Sequence, residues 1–143
     1  MGDRINAYYV SRTDQAALAQ IDIEHIAQGH INRVGKAVGF YHEPSAEGAA
    51  RVSSYTKPPD ANGVYEGTVQ VQNAAGQWID KKTPSTFFPQ SWSGARLNYE
   101  LTTAFNDRKL VGMNWIGKSQ SGVEVEFVPP RGAITQWRGW PLR

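Results

Sequence analysis

Three histidines, His25, His30 and His42, are the natural proton-transfer groups of this chain. An unperturbed imidazole titrates near 6.5, so two brought together can divide acid and base work at neutral pH. His25 sits in Glu24-His25-Ile26 near a helix end, and His42 follows the Gly-punctuated run Gly39-Phe40-Tyr41. Taken singly, each also fits an ordinary packing or surface role. His25 and His30 are five residues apart, about 140° around a helix axis, which is not the i, i+4 arrangement of a paired metal site. No Asp/Glu cluster completes a metal cage, so neither metal nor cofactor is expected. Lys81-Lys82 stand just before Thr83-Pro84-Ser85-Thr86-Phe87-Phe88-Pro89. A lysine fixed ahead of a buried β-segment can offset charge on a phosphorane; a solvated pair closing a strand is the plainer alternative. Near the C-terminus, Thr135 and Trp137 alternate, so a strand there points both to one face. A hydroxyl and a ring projecting together can touch a phosphate and stack on a base. Trp137 also fits a core.

The elements that must carry these groups read as α+β. From Asp14, Ala17, Leu18, Ile21 and Ile26 recur at helical spacing behind Thr13 as cap, which predicts a helix over 14–30. Residues 33–44 read as a Gly-punctuated loop or short strand, and 45–63 as a long polar, Pro-containing loop. Val64–Gln72 alternates apolar and polar residues, and Asn73-Ala74-Ala75-Gly76 turns it back into Gln77-Trp78-Ile79. Ser85–Phe88 is a short β-run. Ser91 or Ser93 caps a second helix carrying Leu97, Leu101, Ala104 and Phe105. Strands over 113–119, 123–128 and 134–137 complete an antiparallel second half.

Composition narrows the class further. The 143 residues suit one domain, with 40% hydrophobic and 20% charged content. No cysteine is present, which removes disulfides, thiolate metal sites and cysteine nucleophiles. The start MGDRINAYYV has no apolar signal region, and no run of apolar residues is long enough to span a membrane. The chain therefore reads as a soluble domain, one that a longer protein can carry as its C-terminal segment. Net charge is +2, too small for bulk attraction to nucleic acid, but its distribution is uneven. Residues 1–50 carry −2, 51–100 carry +1 and 101–143 carry +3. A local basic patch toward the C-terminus follows.

These signals occur in the order of one family. EHIAQGHINRVGKAVGFYHEP resembles the His-Ile…Gly…Gly-aromatic-x-His stretch of bacterial EndoU-type endoribonucleases. KKTPSTFFPQSW is similar to that family's Lys-x-x-Ser-Thr-Phe-Phe-Pro-x-x-Trp block, and GAITQWRGWP to its closing Ile-Thr-x-Tyr-Pro element. The match runs over roughly 23–141, within a single domain of 1–143. It implies catalytic roles for His25, His42 and Lys82, with Lys81 taking the lysine's place if the register slips by one. It puts Thr135 and Trp137 at the substrate-binding positions, Trp137 standing where the family has Tyr; His30 receives no role.

The resemblance further implies a metal-independent cleavage of RNA to 2′,3′-cyclic phosphate and 5′-hydroxyl ends. Either histidine can be the base: the resemblance favours His42 as base and His25 as acid, and the residues alone leave the direction open. The fold it implies has N-terminal helices packed against two antiparallel sheet units that form a cleft, as in EndoU and colicin-type ribonuclease toxins. Its context is the C-terminal toxin module of contact-dependent inhibition and polymorphic toxin proteins. Such modules enter a neighbouring cell's cytoplasm and cut RNA, often tRNA, until a cognate immunity protein blocks the site. An acidic immunity partner is the expectation from the basic C-terminal third. A binding module that has lost catalysis is the alternative.

Overall fold

The computed structural model describes Val10 and residues 12–143. The reading of the first nine residues falls outside them, and so does the side chain of Thr13. The helix predicted over 14–30 is instead two: α1 over Arg12–Leu18 and α2 over Ile23–Ala27. The break has a cause far away in sequence. Ile21 forms a parallel bridge with Trp137, Asp22 N–H donates to the Trp137 carbonyl at 2.8 Å, and Trp137 N–H donates to the Gln20 carbonyl at 2.7 Å. Asp22 then restarts the helix as its N-cap, its carboxylate accepting the His25 N–H at 3.2 Å.

A small hairpin follows, β1 over His30–Ile31 and β2 over Ala37–Val38, and then a 3-10 turn at Glu43–Ser45. The predicted loop over 45–63 holds a full strand, β3, at Ala50–Lys57. Almost all its side chains face solvent, so no apolar alternation marked it. Polar cross-strand pairs hold it to β4, among them Ser53 with Thr68, Arg51 with Gln70 and Thr56 with Glu66. β4 over Tyr65–Gln72 alternates as predicted, with Tyr65, Gly67, Val69 and Val71 buried. Around it, β3, β5 (Trp78–Asp80) and β6 (Ser85–Phe87) make the first four-stranded sheet.

Ser93 caps α3 over Gly94–Asp107, accepting the Arg96 N–H at 3.1 Å. Its face of Leu97, Leu101, Ala104 and Phe105 is buried on the second sheet. That sheet runs in the order β10-β9-β8-β7: Arg138–Pro141, Glu124–Val128, Asn114–Lys118 and Lys109–Val111. Gly117 lets α3 come close, since a Cβ there would strike the Ala104 carbonyl oxygen. The last strand begins at Arg138, not at the predicted 134–137. Its place is between the sheets: the Thr86 hydroxyl donates to the Pro141 carbonyl at 2.6 Å. The architecture is α+β, a few helices against antiparallel sheets. Among the described residues no helix is long and apolar enough to cross a membrane.

Candidate active site

The cleft between β10 and β6 is assembled from four short pieces of chain, and backbone geometry aims each of them. Gly29 and Gly39, both at positive φ (68° and 79°), bring the end of α2 against β2. A Cβ on Gly39 would collide with the His25 carbonyl oxygen and crowd Gly29 Cα at 2.9 Å. Phe40 continues in the left-handed region at φ 69°, a costly conformation for a bulky residue, tolerated here with its ring fully buried against Phe87. Phe40 N–H donates to the His25 carbonyl at 3.1 Å and Tyr41 N–H to that of Ile26 at 2.6 Å. The turn sends the adjacent side chains to opposite sides: Tyr41 to the cleft, His42 into the interior.

Lys81 meets Tyr41 there. Its ammonium donates to the Ser85 hydroxyl at 2.7 Å and to the Tyr41 hydroxyl and Gly39 carbonyl, both at 3.1 Å. All three of its protons are thereby directed. From β10, Arg138 ion-pairs with Asp22 at 3.3 Å, and the Trp140 ring lies 6.2 Å from that of Tyr41. Tyr41, Lys81, Thr83, Pro84, Thr86 and Trp140 line a hollow of about 420 Å³. A larger one, about 570 Å³, lies between Tyr55, Tyr65 and Pro58, Pro59 and Pro89, and is lined by neither Tyr41 nor Lys81. Size does not mark the site.

The electrostatics set the protonation states. His25 is 7% exposed, and its pKa falls to about 3, first from burial, then from Arg138, His30 and Lys81, with Asp22 opposing. It is therefore a neutral imidazole at physiological pH. Its Nδ1 is buried without a hydrogen-bond partner, an arrangement that costs stability and recurs at reactive sites. The His30 ring stands edge-on at 5.1 Å. Burial lowers Lys81 to about 8 and raises Tyr41 to about 12, Arg138 opposing the latter shift. Among the described residues, Asp22 is the carboxylate tied to this group.

The Bacterial EndoU nuclease family model matches residues 19–143. The chain belongs to that family. It is also 27% identical over 115 residues to a Bacillus cereus protein named "Toxin". The match covers 78% of this chain and 21% of that protein, so the chain spans about a fifth of its relative's length. No solved structure matches.

Within this EndoU-family domain, the residues singled out from sequence part company. His25 is near the cleft, with Arg138 and Lys81 among the charges that act on it. His42 is not: it is fully buried, with Nδ1 bonded to the Ser45 hydroxyl at 2.6 Å and Nε2 to the Trp92 carbonyl at 2.8 Å. Both ring nitrogens are occupied, and burial lowers its pKa. It ties the 3-10 turn to the segment before α3. Lys82 is exposed, and its neighbour Lys81 makes the cleft contacts. Thr135 is exposed outside any strand. The Trp137 ring is packed between Phe105 (5.4 Å), Trp115 (5.8 Å) and the Arg108 guanidinium (4.7 Å), so it belongs to the core.

Four cleft residues were not among the sequence candidates: Tyr41, Ser85, Arg138 and Trp140. One signal was readable. The family's closing element has its aromatic directly before Pro, and in this tail only Trp140-Pro141 has that order. Aligning on that dipeptide moves the element three residues on, and Arg138 takes the threonine's place. For Tyr41 over His42, nothing in the sequence reveals the left-handed Phe40 that decides it.

Proposed function

We propose that this domain cuts RNA by transesterification, a ribose 2′-hydroxyl attacking its own 3′-phosphodiester to leave a 2′,3′-cyclic phosphate and a 5′-hydroxyl. The observation that carries this reading is the neutral His25 within electrostatic reach of Lys81 and Arg138, beside the hollow that Lys81 and Tyr41 line. His25 takes the 2′-hydroxyl proton. Arg138 and Lys81 offset the charge gathering on the phosphorane oxygens, and Trp140 stacks on a flanking base. The nucleophile belongs to the substrate, so the chemistry asks for no metal. Among the described residues no group of three His, Cys, Asp or Glu is placed to hold one.

The relative's name and its greater length support a wider setting. In this reading the domain is a bacterial toxin module, carried as the C-terminal part of a larger secreted or surface protein and acting in a target cell's cytoplasm. Its substrate there is RNA, tRNA foremost, and a cognate immunity protein shields the cleft. The test is incubation of the purified domain with total tRNA in EDTA, with end-group analysis of the fragments. Cleavage to cyclic phosphate ends is expected, and His25→Ala and Lys81→Ala should each lower the rate about 10²–10⁴-fold. Activity lost on chelation, or kept in His25→Ala, defeats the proposal.

One observation favours a second reading, an RNA-binding module without catalysis. His42 stands outside the cleft and Trp140 has no phenolic hydroxyl, so two groups implied by the resemblance are missing. RNA retained on the domain but left intact would establish that reading.

A further inference from the structure

The RNA-cleavage reading leaves one proton unplaced. His25 accepts a proton from the 2′-hydroxyl, but the departing 5′-oxygen must receive one, and His42 is buried with both nitrogens occupied. We infer that Tyr41 is the proton donor to the leaving 5′-oxygen. The inference rests on that reading and goes beyond it, because an imidazole is the expected group. Its geometry is specific. The phenolic oxygen accepts a hydrogen bond from Lys81 at 3.1 Å, so its own proton is directed elsewhere, and no acceptor for it stands among the described residues. The ring is half-buried in the wall of the hollow shared with Trp140. Gly39 and Phe40, both at positive φ, orient it there. Nothing in the fold outside the cleft uses its hydroxyl.

The step balances. The 2′-oxygen to phosphorus bond forms as its proton passes to His25, and the phosphorus to 5′-oxygen bond breaks as that oxygen takes the Tyr41 proton. The phenolate left behind faces the Lys81 ammonium, which is also 4.3 Å from the ring centroid. Solvent then returns a proton to Tyr41 and removes one from His25. With its pKa raised to about 12, the phenol keeps its proton throughout the neutral range. It acts as an acid only, which makes His25 the base.

A leaving group that departs without a proton separates this role from packing. Tyr41→Phe should lower cleavage of a uridylyl dinucleotide about 10²–10⁴-fold while changing cleavage of uridine 3′-(4-nitrophenyl phosphate) less than tenfold. Tyr41→His restores a donor and should cleave the dinucleotide faster than the Phe variant. Thermal melting confirms that both variants are folded. Equal losses on the two substrates in both variants, or no loss on the dinucleotide, overturn the inference. So does the selective loss appearing in His30→Ala instead, since His30 is the other group beside His25. If the unmutated domain cleaves neither substrate, the RNA-cleavage reading itself has failed.

Discussion

At the scale of single residues, His25 is where stability and chemistry meet. Its neutral form is favoured in the fold by burial and by three cationic or imidazole neighbours. The folded pKa, about 3, lies below the unfolded value near 6.5, so protons bind preferentially to the unfolded chain between the two. The contribution is full above pH 6.5 and is lost as pH falls through that window. By pH 5 the loss is about 2 kcal/mol. Burial lowers His42 in the same direction, so it adds to the loss on the acid side. Urea unfolding at pH 7 and pH 5 should therefore show a clear acid destabilisation that is smaller in His25→Gln and not abolished. Equal pH dependence in the two proteins would mean that His25 titrates normally. The same burial that costs acid stability keeps the proposed base unprotonated at neutral pH.

At the scale of elements, the decisive device is the close approach of β2 to α2. Gly35 and Gly39 both sit at positive φ, 83° and 79°, but only Gly39 faces backbone at collision distance. An added Cβ at Gly35 meets nothing within 4 Å. Gly35→Ala should cost about 1 kcal/mol, the backbone conformation alone. Gly39→Ala should cost more than about 3 kcal/mol or prevent folding, because it pushes the His25 carbonyl away. Urea midpoints measure the difference; equal midpoints would show that the approach is not tight. The legibility of the elements follows the same physics. β4, β6 and α3 have one buried and one more open face, and that contrast is written in their residues. β3 is nearly all exposed, and the α1–α2 break answers to Trp137, so neither could be read locally. His25 could be named as a candidate because its motif is local. Lys81 was readable as the alternative to Lys82 by a slip of one residue, but the turning of Tyr41 rather than His42 toward the hollow was not, because adjacent side chains face opposite ways and only the left-handed turn at Phe40 decides which faces in.

At the scale of the whole molecule, the net charge of +2 and the proposed polyanionic substrate must be reconciled. The cleft does so with few cations. Lys81 lines the hollow and Arg138, paired with Asp22, comes from β10, the strand that carries Trp140, while Lys57, Lys109 and Arg96 are paired with Glu66, Asp107 and the buried Glu100. Attraction is local, and affinity should come as much from stacking on Trp140 as from charge. Binding to single-stranded RNA should then depend weakly on salt. Each neutralised phosphate contributes about −0.7 to the slope of log K against log salt, so two contacts give roughly −1.4. Fluorescence anisotropy of a short labelled RNA with the His25→Ala domain, between 50 and 200 mM salt on the order used for such slopes, reads this directly. Trp140→Ala should weaken binding without changing the slope, by about 1–3 kcal/mol, and Arg138→Gln should flatten the slope by about 0.7. A slope several times steeper would mean that RNA is held across a broad basic surface. The cleft would then be only where it is cut.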